Sequence, residues 1–198
     1  MVRPLNRLAT ALSLFFQPIF VGTYVIVALS LTGATSPAAG VAWALVTAGL
    51  CTGVPTFDLV RRMRAHSVSD FQLVVREQRL RPLLVSLVCT TVALTLVVVA
   101  DGPESLAVAL AAALVTGSVM TAVTTRWKIS FHAGGAAGAT VLMIWQFGGI
   151  ATLLLPVLAG VCWSRIYLRR HTVTQVLAGL AVGAVLTAGV VVGVTSSS

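Results

Sequence analysis

Carboxylates are scarce in this chain: 5 Asp and Glu in 198 residues, against 13 Lys and Arg. Charge of either sign is sparse, at 9% of residues where a soluble domain carries about 25%. Only three cysteines occur, Cys51, Cys89 and Cys162, all inside apolar runs. An odd count in such positions excludes a disulfide framework and reads as small buried hydrophobes. What fills the space is apolar: 58% hydrophobic residues and a mean hydropathy of +1.00. A water-soluble domain of this length has no interior large enough for that surface. A cytosolic globular enzyme, a disordered chain and a basic nucleic-acid module are therefore excluded, and the bilayer is the solvent for the surplus.

A helix needs about 20 apolar residues to cross the hydrocarbon. The runs predict an all-α transmembrane bundle in a single domain over 1–198, with about seven spans and six as the alternative. The expected spans are 10–31, 38–57, 82–100, 104–123, 131–147, 150–166 and 172–194. Two arginines precede the first run as in a signal peptide, but no A-x-A site follows, so this run reads as a span that stays. The longest polar segment is 58–81. Its Val68, Phe71, Val74 and Val75 recur at helical spacing and predict an amphipathic interfacial helix. Small residues also recur at helical spacing (Gly134/Gly138, Ala178/Ala182, Gly179/Gly183), which permits close helix contact.

With seven spans, all 13 basic residues fall on one face: Arg3 and Arg7, six arginines of 58–81, Arg126, Lys128, Arg165, Arg169 and Arg170. The opposite face has Asp101 and Glu104. The positive-inside rule then expects an integral protein of the cytoplasmic membrane with its basic face toward the cytoplasm. Arg61, Arg62 and Arg64 read as headgroup anchors and His66 as a solvated loop residue. Trp43, Trp127, Trp145, Trp163, Tyr24 and Tyr167 read as interface anchors.

On the basic face the span ends bring His132, His171, Arg165, Lys128 and Arg76, Arg79 and Arg81 to one depth. Clustered guanidinium groups bind non-bridging phosphate oxygens and stabilise charge at a transferring phosphorus. One imidazole is able to attack phosphorus while a second protonates the departing oxygen. No carboxylate cluster accompanies them, which argues against a two-metal phosphatase.

Three segments of this face resemble the type 2 phosphatidic acid phosphatase family. Arg76-Glu77-Gln78-Arg79-Leu80-Arg81-Pro82 is similar to its arginine-rich first motif, with Val74 where a lysine is usual. Lys128-Ile129-Ser130-Phe131-His132 is similar to the second, Pro-Ser-Gly-His, with Ser and His kept. Ser164-Arg165, five residues and His171 match the third in spacing, with Gln175 where aspartate is usual. The resemblance covers about 70–179. It implies catalytic roles for His171 (nucleophile), His132 (general acid), Arg165 and Gln175, and phosphate binding by Arg76, Arg79, Arg81, Lys128, Ser130 and Ser164. Glutamine fixes an imidazole tautomer without supplying charge. The activity implied is metal- and cofactor-free hydrolysis of a membrane lipid phosphate or diphosphate, with a prenyl or polyprenyl ester preferred, through a phosphohistidine. The alternatives are a lipid-phosphate binding or transport protein that has lost hydrolysis, and a phosphotransferase. The expected partners are the lipid substrate and membrane lipids, with no nucleic acid.

Overall fold

The computed structural model describes residues 4–73 and 75–196. Among these the fold is all-α with no sheet: α1 (Pro4–Phe15), α2 (Pro18–Gly33), α3 (Pro37–Ala48), α4 (Val54–Arg64), α5 (Leu80–Val99), α6 (Glu104–Thr124), α7 (Phe131–Phe147), α8 (Leu155–Tyr167) and α9 (Val173–Thr195). Five helical stretches are long and apolar enough to cross a membrane, or six if the bent pair α1–α2 counts as one span. Large side chains such as Leu45, Phe57, Val88, Val99, Leu153 and Val185 stay exposed, as on helices that face lipid.

The difference from seven spans lies at two places. The first expected span is broken: α1 and α2 meet at 55°. Pro18 lacks an N–H and forces Gln17 into an extended conformation (ψ 145°), so the helix restarts there. The expected fifth and sixth spans form one stretch, Phe131–Tyr167, of 37 residues. A straight helix of 37 residues would hold its ends about 55 Å apart. Here the chain turns at Gly148 (φ 67°), and His132 and Arg165, near opposite ends, both reach Ser13. α7 and α8 are thus the two arms of a hairpin, joined by the 3₁₀ segment Gly148–Leu154.

The expected amphipathic helix within 58–81 does not form. α3 and α4 instead make one stretch, Pro37–Arg64, through a π-helical turn at Gly49–Gly53. The N–H of Val54 reaches back to Gly49 O, and Pro55 has no N–H to restore the α pattern. After Arg64 the described residues are irregular up to the 3₁₀ turn Arg76–Gln78. His66 and Leu73 take positive φ (55° and 50°), Ser67 Oγ donates to Arg62 O at the end of α4, and Ser69 Oγ donates to the Gln78 side chain. Two of its apolar residues turn inward, Val68 being buried and Phe71 stacking on Phe20 at 6.5 Å, while Val75 stays exposed. Val74, assigned to that helix, lies outside the described residues.

Cross-bundle hydrogen bonds gather the polar connections at one end. Gln72 bonds Ser13, Arg76 bonds Thr125 O, Arg79 bonds Ile129 O, and Ser130 N–H bonds Gln175 O at 3.2 Å. The described basic residues lie on the segments that meet there or on α1 and α4, which lead into them. At the other end, Gly33 packs on Ser105 and Gly102 on Trp43. The charge asymmetry read from the sequence is therefore an asymmetry of the bundle.

The tightest packing joins α7 to α9. A Cβ added at Gly179 would sit 2.4 Å from Ser130 O, and one at Gly183 would sit 2.1 Å from Gly134 O. Glycine on both helices lets the backbones touch. Gly183→Ala should force the pair apart and lower stability by about 1–3 kcal/mol. Gly189→Ala, which meets nothing within 4 Å, should be neutral or slightly stabilising. Thermal unfolding of both variants in detergent checks the contrast.

Candidate active site

The α7–α9 contact sets the second and third motifs against each other. Ser130 caps α7, its Oγ accepting from Ala133 N–H at 3.4 Å, which places His132 in the first turn. Beyond α8 the link closes back on its helix: Arg170 and His171 N–H groups donate to Arg165 O at 3.0 and 3.2 Å. Thr172 then caps α9 in a capping box with Gln175.

Four ionisable side chains are buried here: Arg165 (1% exposed), His132 and Arg79 (5%) and His171 (7%). All four line one cavity. The arginines hold neutral oxygens. Arg79 Nε donates to Leu73 O at 2.7 Å and Nη1 to Ile129 O at 3.4 Å. Arg165 Nη1 donates to Ser13 Oγ and, at 3.4 Å, to Gln72 Oε1. Arg165 Nε is buried with no partner among the described residues. The ion pairs among those residues lie elsewhere: Asp58 with Arg61 and Arg62, and Glu77 with Arg76. Asp70 lies close enough to act on Arg79 and Arg165 electrostatically. Two buried guanidinium groups whose donors meet neutral oxygens form a site with affinity for an anion.

Gln175 shows how the imidazole is oriented. Its Oε1 accepts from Thr172 N–H at 3.2 Å, and a backbone N–H only donates, so that atom is the oxygen. The same oxygen lies 3.1 Å from His171 Nδ1. Nδ1 therefore carries the proton, and Nε2 keeps its lone pair. Burial, then Arg165 and Arg79, push the His171 pKa down to about 3, with Gln175 opposing them. The ring is neutral at pH 7. On the other ring, His132 Nε2 donates to Ser13 O at 3.2 Å. Burial, followed by Arg79, Arg165 and Arg170, also lowers the pKa of Lys128.

The remaining sequence candidates occupy other places. Arg76 is bound to Glu77 (3.1 Å) and to Thr125 O (3.2 Å), outside the cavity lining. Arg81 is exposed and also outside it. Ser164 is fully buried and donates to Val161 O at 2.7 Å, within its own helix. Ser130 has its Oγ on the α7 cap. Lys128 is half-buried beside the arginines, off the lining.

Three polar residues at the site were not singled out from sequence. Ser13 offers its hydroxyl to Arg165 and Gln72, and its carbonyl to His132. Gln17 is buried at the α1–α2 break and lines the cavity with Gln72. The available signal was Ser13 and Gln17 as polar residues four apart in an otherwise apolar run. Among the described residues, no group of three or more His, Cys, Asp or Glu side chains is placed to hold a metal ion.

No family model matches the chain, and no curated protein or solved structure matches it either. What is shown is a polytopic all-α membrane bundle with a buried cationic site at one end of a cavity.

Two outcomes follow. Ser13→Ala should leave Gln72 Nε2 and an Arg165 N–H short of an acceptor, costing about 1–3 kcal/mol in a detergent melt. The depressed His171 pKa means the unfolded chain binds a proton, near pH 6.5, that the folded chain refuses until about pH 3. This group's contribution to stability is complete above pH 6.5 and is lost as pH falls toward 3. His171→Gln should therefore lose less stability than the wild type between pH 7 and pH 5, measured by denaturant midpoints.

Proposed function

We propose that the protein is a metal-independent phosphatase acting on a membrane lipid phosphate or diphosphate, with a prenyl or polyprenyl ester as the preferred substrate. The observation that carries this reading is the convergence of Arg165, Arg79, His132 and a neutral, tautomer-fixed His171 on one mainly apolar cavity. The resemblance of the three motifs to the type 2 phosphatidic acid phosphatase family supports it. So does the placement of Ser130-Phe131-His132 beside the His171 loop by the α7–α9 contact.

In this reading the guanidinium groups of Arg165 and Arg79 hold the phosphoryl oxygens, and Arg165 Nε gains the acceptor it lacks. His171 Nε2 attacks phosphorus with its lone pair, forming a P–N bond as the ester P–O bond breaks. The departing oxygen takes a proton from the imidazolium form of His132, leaving that ring neutral. Water then attacks the phosphohistidine, returns a proton to His132, and frees inorganic phosphate and neutral His171. Arg165 stabilises the charge that develops at phosphorus. Lys128 adds positive potential at the mouth. Arg76 and Arg81 act at the surface, where they attract an anionic headgroup. The positive-inside rule puts this end at the cytoplasmic side of a cytoplasmic membrane.

A second reading rests on Gln175. Its amide orients the imidazole but offers no negative charge to the positive phosphohistidine intermediate. The same site then binds a lipid phosphate without turning it over.

Purified protein given a panel of lipid phosphates and diphosphates in EDTA should release phosphate, and His171→Ala should reduce release by at least 10³-fold, in the range of a lost nucleophile. Gln175→Asp should raise kcat about tenfold or more by stabilising the imidazolium. Tight binding with no release from any substrate selects the second reading. Headgroup exchange with little free phosphate selects a phosphotransferase.

A further inference from the structure

A guanidinium carries its N–H donors in one rigid plane, so occupying one corner aims the rest. The described hydrogen bonds of Arg165 are both made by Nη1, to Ser13 Oγ and, at 3.4 Å, to Gln72 Oε1. Nη1 has two hydrogens, and these two oxygens match them. Nε is buried with no partner among the described residues. Nε–H and one Nη2–H project in parallel from the side of the plane that Nη1 does not share. That side is a two-pronged edge, which takes two oxygens of one anion at once. Arg79 differs: its Nε is occupied by Leu73 O at 2.7 Å, so it has no such edge to offer.

The two residues that occupy Nη1 also hold each other. Gln72 Nε2 donates to Ser13 Oγ at 3.2 Å. Gln72 Oε1 faces a guanidinium nitrogen that only donates, which fixes the orientation of the amide. The Ser13 carbonyl accepts from His132 Nε2 at 3.2 Å, so one residue restrains both Arg165 and His132. Ser13 is 1% exposed and lies outside the cavity lining, whereas Arg165, His132 and Gln72 line it. Ser13 therefore stands behind the cationic group and reaches a ligand only through it.

We propose that Ser13 and Gln72 are positioning residues for the phosphoryl group: by taking up Nη1 they turn the Nε–Nη2 edge of Arg165 toward the anion, which it grips through two oxygens. The inference rests on the phosphate-ester reading and names the residues that aim the site. An edge held in this way favours a head with two oxygens on one atom over a spherical anion.

Octylphosphonate is the probe, because its C–P bond is not an ester and binding is read without turnover. The first test uses the full chain in nanodiscs with isotope-labelled arginine. The Arg165 Nε–H resonance, identified by its loss in Arg165→Lys, should move downfield as the probe binds. Binding with that resonance unmoved overturns the proposal and leaves an anion site of another geometry. The second test is calorimetry on Ser13→Ala and Gln72→Met. Each should weaken octylphosphonate about tenfold, the effect of one lost hydrogen bond to a charged group. Thr23→Val is the control. It breaks the 2.6 Å bond between Thr23 and Thr52, and should lower the melting temperature with the affinity unchanged. Unchanged affinity in Ser13→Ala or Gln72→Met overturns the proposal. Equal weakening by all three variants also overturns it, and leaves the two residues a role in folding alone. Failure of the wild type to bind octylphosphonate overturns both this inference and the phosphate-ester reading. The expected resonance shift and losses, with no phosphate released from any lipid phosphate, would sink the phosphatase reading and leave this one standing.

Discussion

Backbone contact between α7 and α9 is the constraint on which the polar end of this bundle depends. Gly134 faces Gly179 and Gly183 so closely that a single added carbon would overlap a peptide oxygen. Only at that separation does Ser130 N–H reach Gln175 O, and that bond joins the start of α7 to the cap of α9. The capping box at Thr172 and Gln175 then holds the His171 ring through an oxygen already fixed by a backbone N–H. In lipid, where apolar surface gives helices no preference for one another, such close approach supplies the dispersion and polar contacts that hold two helices together. The cationic site inherits its rigidity from this seam.

The second organising feature is the way charge is buried. Arg79 and Arg165 are almost wholly enclosed, yet they hold carbonyl, hydroxyl and amide oxygens in place of carboxylates. Each such bond offsets part of the cost of desolvating a guanidinium, and neither cancels its charge. The scarcity of acidic residues in the sequence thus has a local expression, in a basin where Arg79, Arg165 and Lys128 outnumber the one carboxylate, Asp70, that acts on all three.

Much of this was legible in the sequence because hydrophobic length and charge placement act over whole segments. The all-α bundle, the basic end, the glycine stripes of α7 and α9, and the spacing of Ser164, Arg165 and His171 all lie in the linear pattern. The departures have local causes. The break before Pro18 hides inside a run whose average hydropathy is uniform. The stretch after Arg64 has helical spacing at Val68, Phe71 and Val75, but Ser67 and Ser69 redirect its hydrogen bonds. The hairpin of α7 and α8 depends on one glycine at positive φ. Among the candidate ligands, Arg79 and Arg81 are two residues apart and so face different ways on the same turn, one buried and one exposed. Spacing to a motif does not convey that. Ser13 and Gln72 were invisible for a different reason: each matters through a partner more than fifty residues away.

The bend between α1 and α2 has a consequence for biosynthesis. It turns Ser13 toward Arg165 and His132, so an early helix of the chain closes a site whose other wall is the cap of α9. A polypeptide emerging from the ribosome amino end first carries Ser13 into the membrane long before residue 175 exists. Until the last helix threads in beside α7, Arg165 and His132 have an incomplete enclosure, and an inserting intermediate has no finished anion site to engage surrounding lipid headgroups.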